Sequence, residues 1–397
     1  MAISRSVLTT SELYTKTLEE VLGIKLGRDD VKRRETRASL ERIAESVTKL
    51  NEGLTVGRES FLAQHYLSDP EIRKAYQLYY TTTNYLKIIP PLRELALSDF
   101  FDKPSLRILD LGTGTGAAIW GILDFLETEV QHPIDLDITA VDSVAQNIKD
   151  IQRFHFQYLK HCTSIKSKLT TRVHDLETPI SFEEKFDLIV MMNTLNELSE
   201  EAEERLLTTF PTLLSNDGVV LMIEPATRKQ SRRLLSFRDA AVKNAWTIYA
   251  PCTRQSNCPA LENTDNWCHS EYKWERLDFI RIIDEAGATL RLSLKSTYII
   301  MNRHGQTLPN ILGKQNLWRS VSERFDEKGR TRAILCGEPA RAQFIMNKRD
   351  KTVENKDFMK VERYDIIEIT ADEPREHDRQ ITGSSQVNLV LPVLGAQ

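Results

Sequence analysis

The stretch from Leu106 to Gly116 reads LRILDLGTGTG and governs how the rest of the chain is read. An apolar run with β-branched character ends in an acid and three glycines, which predicts a buried strand breaking into a tight turn. A helix should follow at once. Ala117, Ala118, Ile119, Trp120, Ile122, Leu123, Phe125 and Leu126 supply helix formers and an apolar face, with no proline before Pro133. A strand, turn and helix of this kind suit a cofactor, because glycine lets a ligand approach the backbone and a helix start offers free amide donors.

Gly112, Gly114 and Ala117 satisfy the dinucleotide pattern G-x-G-x-x-G/A, which alone favours NAD or FAD. Asp110, two residues before the first glycine, and the third glycine, Gly116, instead make the segment resemble motif I of class I S-adenosylmethionine (SAM) methyltransferases. That resemblance implies that Asp110 lies near the methionine end of SAM and that Gly112, Gly114 and Gly116 pack under it. SAM has no pyrophosphate, so carboxylates and backbone groups able to hold an amine, a sulfonium and a ribose replace a phosphate cradle. The bland alternative, a βα turn in an unrelated α/β domain, requires four matched positions to coincide.

Downstream, Asp135 to Val141 (DLDITAV) forms a second strand pattern ending at Asp142. A carboxylate at this tip can accept hydrogen bonds from two adjacent hydroxyls, which makes Asp142 the expected ribose ligand. A helix over 143 to 161 and a short strand from Thr171 to His174 lead to Asp175. The methyltransferase pattern places an acid here against the adenine amino group; a solvated turn aspartate is the alternative. Phe186 to Met192 (FDLIVMM) reads as a strand buried on both faces, ending at Asn193, where open α/β sheets place ligands. Neither Asp/Asn-Pro-Pro-Tyr nor a cysteine follows this strand, so no catalytic residue is assigned. A helix over 199 to 214, a turn at Asn216, Asp217 and Gly218, and a strand from Val219 to Ile223 complete an alternation expected of a parallel, doubly wound sheet.

Upstream, residues 8 to about 100 carry helical spacing: Ser11 with Leu13 and Leu18, then Asp29 to Lys49, Glu59 to Leu67, and Asp69 to Leu86. The tyrosine-dense YQLYYTTTNYL of Tyr76 to Leu86 is read as a helix packing its aromatic side on the cofactor domain, with an RNA-stacking surface as the sharper alternative. Pro90 and Pro91 are expected to stop this segment. The 397 residues can hold two or three domains, and 41% hydrophobic with 28% charged residues is ordinary for a globular protein. A net charge of −4 argues against a globally basic nucleic-acid binder, while leaving local basic patches open. No run approaches the roughly 20 apolar residues of a membrane span, and no secretory hydrophobic core opens the chain. Glu12, Glu19 and Glu20 arrive too early for a transit peptide, so an intracellular protein is expected.

Arg228, Lys229, Arg232, Arg233, Arg238 and Lys243 form a basic helical segment after the fifth strand, read as a solvated face that would also suit phosphate contacts. Cys252, Cys258 and Cys268 follow in a loop interrupted by Pro251 and Pro259, with Cys336 far downstream. In an intracellular chain such clustering suggests metal rather than disulfides. Four thiolates suit zinc or a [4Fe-4S] cluster equally, and His269 could replace one thiolate of a zinc site. The alternative is three free thiols in a polar loop and one core residue in the strand RAILC, and Cys162 is expected to be structural.

The combination of LDLGTGTG, LMIEPATR, PCTRQSNCP with NWCH, YIIMNR, and LCGE resembles the methyltransferase-like assembly factors of the small ribosomal subunit, the family of the yeast mitochondrial small-subunit protein and its bacterial relatives. The resemblance runs from about Ala75 to Glu338. It implies a class I methyltransferase fold, SAM binding, a [4Fe-4S] cluster on Cys252, Cys258, Cys268 and Cys336, and association with small-subunit rRNA. Separately, no membrane or DNA partner is expected, and the sequence leaves the oligomeric state open, with a monomer as the expectation. It places the protein in the cytoplasm of a bacterium or the mitochondrion of a eukaryote. Ala226, Thr227 and Arg228 depart from the family's usual Gly-Thr, and SEYKWER from its usual Ser-Gln-Arg run; both touch the expected substrate surface. Two rivals stand beside this reading: a non-catalytic assembly factor that binds SAM, and a small-molecule methyltransferase with structural zinc. The expected organisation is a helical region over 1–100, a methyltransferase-like domain over 101–340 with a cysteine-rich metal-binding insertion near 246–275, and a small β-rich region over 341–397. In that last region, Ala342 to Asn347, Phe358 to Glu362 and Tyr364 to Thr370 read as strands, and the partly apolar tail from Ile381 to Gln397 as a further edge strand.

Overall fold

A computed structural model of the chain describes residues 7–55, 66–130, 132–287 and 290–392. Most of the helix read over Glu59 to Leu67 and the last residues of the Ile381–Gln397 tail lie outside the described residues. The first sheet contains β1 (Ser105–Leu111), β2 (Ile134–Asp142), β3 (Ile165–Val173), β4 (Phe186–Met192), β5 (Leu214–Pro225), β6 (Thr247–Ala250), β7 (Ser270–Lys273) and β8 (Ser293–Asn302). Their order is β3-β2-β1-β4-β5-β8-β6, with β7 also paired to β8. Strands β1 to β5 pair in parallel, and β8 runs antiparallel to β5, β6 and β7. The chain winds outward from β1 to β3 and then returns to the other side, so the order reverses between β1 and β4, where α/β sheets open a ligand crevice. This is a Rossmann-like α/β sheet, as expected.

The central strands are buried along nearly their whole length, as the helix-covered faces of a parallel sheet require. The predicted turn at Asn216 to Gly218 lies within β5 as an interruption: the pairing passes from Phe186 with Leu214 to Leu188 with Val219. Helices Ala117–Thr128 and Ala145–Leu159 follow β1 and β2 closely to expectation.

The N-terminal helices share the apolar core of the sheet rather than forming a separate one, for Tyr14, Leu40 and Tyr85 belong to the same buried cluster as Ile108 and Trp120. Helix Glu12–Leu22 is capped by Ser11, whose hydroxyl accepts from the Tyr14 amide, and ends at Gly23. Tyr14 stacks on Tyr85 with ring centroids 4.0 Å apart. The tyrosine-rich segment contains a π-helical turn over Tyr76–Thr81, and Tyr79 and Tyr85 are fully buried, which fits core packing and rules out the RNA-stacking alternative for those two rings. Pro90 and Pro91 do not stop the helix, which runs unbroken over Thr82–Ala96. Each proline removes a donor, but the helix is buried along almost its entire length, and that burial outweighs the lost bonds.

A second sheet comprises β9 (Leu317–Ser320), β10 (Phe325–Glu327), β11 (Arg330–Cys336), β12 (Arg341–Asn347), β13 (Ile366–Thr370), β14 (Glu373–Pro374), β15 (Asp378–Ile381) and β16 (Gln386–Leu391). The order is β14-β15-β12-β11-β9-β13-β16, with β10 on β11. The sheet therefore begins well before position 341 and includes Cys336. Its core holds Trp318, Leu335, Phe344, Ile367 and Val387. The segment read as a strand over Phe358 to Glu362 is instead a 3-10 turn, Lys356–Lys360, that drops Phe358 into that core while Val361 closes it.

Candidate functional site

The crevice at the reversal point is a cavity of about 210 Å³ lined by Asp110, Gly112, Thr113, Gly114, Asp142, Asp175, Asn193 and neighbouring side chains. Gly112 has φ +73°, and a Cβ there would fall 2.3 Å from the Thr194 methyl, so the turn and the loop after β4 meet only because the side chain is absent. Gly114 has φ +52° and nothing within 4 Å of its missing Cβ, which leaves its backbone open to a ligand. Gly116 is the exception among the predicted glycines. It does not line the cavity; it lies under Trp120, whose indole a Cβ would meet at 2.8 Å, and so supports the turn from behind.

Asp110 is buried, and its Oδ2 accepts from the Thr113 hydroxyl at 2.6 Å. Its Oδ1 is buried with no hydrogen-bond partner. Burial, with Asp142 adding to it and Thr113 opposing, raises its carboxyl to about 7. Asp142 takes the Gly114 amide on Oδ2 at 2.7 Å, and the Val144 amide and the Asn147 side chain on Oδ1 at 2.8 and 3.0 Å. It thus fastens the glycine turn to the helix after β2. Burial raises its carboxyl as well, against these hydrogen bonds. Asp175 stands exposed at the lip, accepting from the Glu177 amide at 3.0 Å. Asn193 ends β4 in the left-handed region, φ +59°, with its amide bonded to the Ile223 carbonyl.

Residues not expected from the sequence complete the floor. Thr194 holds the Gly112 carbonyl, and the Thr81 hydroxyl meets that of Thr115 at 2.5 Å, tying the tyrosine-rich helix to the glycine turn. Glu224, buried at the end of β5, accepts from the Leu195 amide and the Asn196 side chain, fixing the loop after β4. The Glu-Pro at the strand end was the available sequence signal.

The cysteines occupy a second locality. Cys258 is raised by burial and by the charges of Cys252, Cys268 and Cys336, and Cys336 is pushed to about 12 by burial, Cys252 and Cys268. Cys252 thus acts electrostatically on Cys258, Cys268 and Cys336, which brings three cysteines of one loop to the same locality as the distant Cys336. Among the described residues, no group of three or more His, Cys, Asp or Glu side chains is arranged to hold a metal ion. The cysteine loop is joined to the end of β11: the Thr253 hydroxyl donates to the Cys336 carbonyl, Arg254 to that of Gly337, and the Ser256 hydroxyl to Glu338. The Cys268 sulfur lies 3.3 Å from the Tyr364 hydroxyl. His269 stacks on Trp267, and its buried Nδ1 has no partner. Cys162 stands apart, its thiol donating to the Tyr158 carbonyl.

The helix Arg228–Lys243 is not a simple solvated face. Arg238 is fully buried and donates to the carbonyls of Ser256 and Arg254 and to Asp239, whose carboxylate also accepts from the Cys258 amide. Arg232 donates to the carbonyls of Ala260, Asn263 and Asn266. Arginines that read as surface charge thus act as caps for a loop whose backbone has no regular partners.

A family model described as mitochondrial small ribosomal subunit Rsm22 matches residues 70–357. No curated protein matches the chain. Among solved structures, a TehB-like SAM-dependent methyltransferase from Corynebacterium glutamicum is 18% identical, covering 53% of this chain and 86% of its own, with a TM-score of 0.32. Magnesium protoporphyrin IX methyltransferase from Synechocystis, with bound SAM, is 10% identical over 61% of this chain and 96% of its own, with a TM-score of 0.36. A methyltransferase from Pyrococcus furiosus is 15% identical over 54% and 82%, with a TM-score of 0.32. No helix among the described residues is long and apolar enough to cross a membrane.

Proposed function

The chain belongs to the mitochondrial small ribosomal subunit Rsm22 family, and from that premise we propose that it binds SAM in the crevice between β1 and β4 and acts on or with small-subunit rRNA. The observation that carries the cofactor reading is Asp110 Oδ1, a buried acceptor without a partner beside an open glycine backbone. A buried acceptor of this kind is costly unless a donor arrives, and the ammonium of a methionine moiety is such a donor. Asp110 disfavours a dinucleotide, because a pyrophosphate at the glycine turn would be pressed against its carboxylate. In this reading Asp110, Gly112 and Gly114 hold the methionine part, with Gly116 bracing the turn. Asp142 Oδ2, which takes one protein donor, has a lone pair left for a ribose hydroxyl. Asp175 and Asn193 border the adenine end.

Bound SAM would supply a methyl group on a sulfonium, already a strong electrophile; the chain's part is to orient it and exclude water. Titration calorimetry with SAM, S-adenosylhomocysteine and NAD tests the slot. Binding of the first two and not of NAD is expected, and preference for NAD would overturn the reading. Radiolabel transfer from SAM to purified small subunits separates an enzyme from a factor that binds SAM without transferring it. The second reading is favoured by the end of β4, which runs Asn193-Thr194-Leu195-Asn196 in place of a methylase motif.

Cys252, Cys258, Cys268 and Cys336 are proposed to hold a [4Fe-4S] cluster. Their donor chemistry fits: burial and neighbouring cysteines raise the Cys258, Cys268 and Cys336 thiols, a penalty on the thiolates that cationic iron or zinc would offset. The role is structural, joining the cysteine loop to β11. Brown protein with iron and sulfide after anaerobic purification is the expected outcome; colourless protein with stoichiometric zinc would replace the cluster with the zinc alternative.

A further inference from the structure

We propose that a second cavity, of about 440 Å³ and adjoining the glycine-turn slot, receives one nucleotide unit of the acceptor, base and phosphate together; this rests on the cofactor reading of the slot. The two cavities share Tyr66, Tyr76, Asn84, Asn193 and Glu197. A group seated in the second therefore lies at the mouth of the first, where a transferable methyl would be presented.

Among the described residues, the wall carries Lys87, Arg291 and Lys295 against the single carboxylate of Glu197. Two of the cations are held in place. Lys87 Nζ donates to Asn84 Oδ1 at 2.8 Å, and Arg291 donates to the Thr83 hydroxyl at 2.9 Å while lying over the Tyr79 and Tyr80 rings at 5.0 and 5.2 Å. Lys295 pairs with Glu271 at 3.2 Å from outside the cavity. Burial, with the Arg291 charge beside it, lowers Lys87 to about 7, a penalty that an anion in the cavity would relieve. A phosphate suits this set, because fixed cations in a partly desolvated cavity form charge-assisted hydrogen bonds to its oxygens. The planar part of the ligand is argued from the tyrosines. Tyr76 stacks on Tyr80 at 5.2 Å and stands 6.1 Å from Tyr66, giving the cavity aromatic faces of the type on which unstacked bases settle. A cavity of this volume is within the usual range for a small-molecule-sized group and not for a duplex.

The test measures anisotropy of a labelled RNA tetranucleotide with the full chain and S-adenosylhomocysteine, against the same sequence with an uncharged methylphosphonate backbone, uridine monophosphate and inorganic phosphate. The RNA is expected to bind about tenfold or more tighter than its uncharged counterpart. Uridine monophosphate competing as well as the tetranucleotide would assign the site to a free nucleotide; competition by inorganic phosphate alone would overturn the base-binding half. Lys295→Gln, and Gln230→Glu at the cavity rim, are expected to weaken RNA binding by about tenfold without moving SAM affinity, which also reports that the variants are folded. Equal binding of charged and uncharged backbones, or parental RNA affinity in both variants, overturns the proposal. If the parent chain fails to bind SAM, the slot reading falls by itself, and the RNA titration without cofactor still decides the cavity.

Discussion

Asp110 is a residue at which stability and ligand binding oppose each other. Its folded-state carboxyl titrates near 7 against an ordinary 3.8, so the folded chain holds that proton more tightly than the unfolded one. The sign follows from linkage: the contribution is fully present below the unfolded value and is lost as pH rises through the folded one. Asp110→Asn should therefore stabilise the ligand-free chain at pH 8, by on the order of 3 kcal/mol, and leave it unchanged near pH 4, as measured by urea unfolding at the two pH values. The same variant should lose SAM affinity by tenfold or more, because the partner for the ammonium is gone. The glycines make a second contrast. Gly112→Ala meets Thr194 as well as an unfavourable φ, and is expected to destabilise by about 2–4 kcal/mol. Gly114→Ala carries the strained φ alone, about 1–2 kcal/mol, yet places a methyl in the slot. Folded protein that no longer binds SAM is expected for the second variant only, by thermal shift with and without ligand.

At the scale of elements, the helix Arg228–Lys243 shows what a one-dimensional pattern can and cannot convey. Its amphipathic spacing and its place after β5 were legible, but six basic residues in sixteen read as a solvated face, because nothing local says where a carbonyl without a partner lies. Arg238 finds two such carbonyls in the cysteine loop, and Asp239 beside it secures the Cys258 amide. Arg238→Ala should cost about 3–5 kcal/mol, leaving the half-buried Asp239 without its counter-charge and the Arg254 and Ser256 carbonyls without their donor, and Arg238→Lys should recover little of it because one ammonium cannot reproduce the guanidinium fork. Urea unfolding gives the first figure, and proteolysis confined to Cys252–Cys268 at low protease shows that the loop is what loosens. The parallel strands were legible for the opposite reason: β1 from Ile108 onward and FDLIVMM are buried on both faces, so composition marks them. The unbroken helix through Pro90 and Pro91 and the second sheet's start at Leu317 were not, since the first depends on tertiary burial overriding a local breaker and the second on pairing between strands far apart in sequence. In the site, the residues on the glycine turn and at strand ends were readable by position, whereas Thr194, Glu224 and Thr81 act on neighbours reached only through the fold.

In the whole molecule the two sheets are joined at a buried charge pair and at the cysteines. Glu94, on the proline-bearing helix, accepts from Arg319 of β9 at 2.7 Å and from the Tyr298 hydroxyl of β8 at 2.8 Å, while its carbonyl accepts from Tyr249 of β6. Arg319 also donates to the carbonyls of Pro251, next to Cys252, and of Tyr364, whose hydroxyl meets Cys268. The ion pair and the thiol cluster thus share one strip of backbone. Glu94→Gln leaves Arg319 buried opposite a neutral group and should lower stability by about 3–5 kcal/mol, read by urea unfolding. Cys336→Ser acts on the same junction from the other side, because Cys336 is the one proposed cluster ligand contributed by the second sheet. If the cluster fastens the sheets, hydrogen exchange in that variant should quicken over β11 and over Cys252–Cys268 together, with no change over Asp110–Gly116, and brown colour should be lost in the same preparation. Exchange at parental rates in a colourless variant would mean that the hydrogen bonds from Thr253, Arg254 and Ser256 hold the junction unaided, and that the thiols serve something other than its stability.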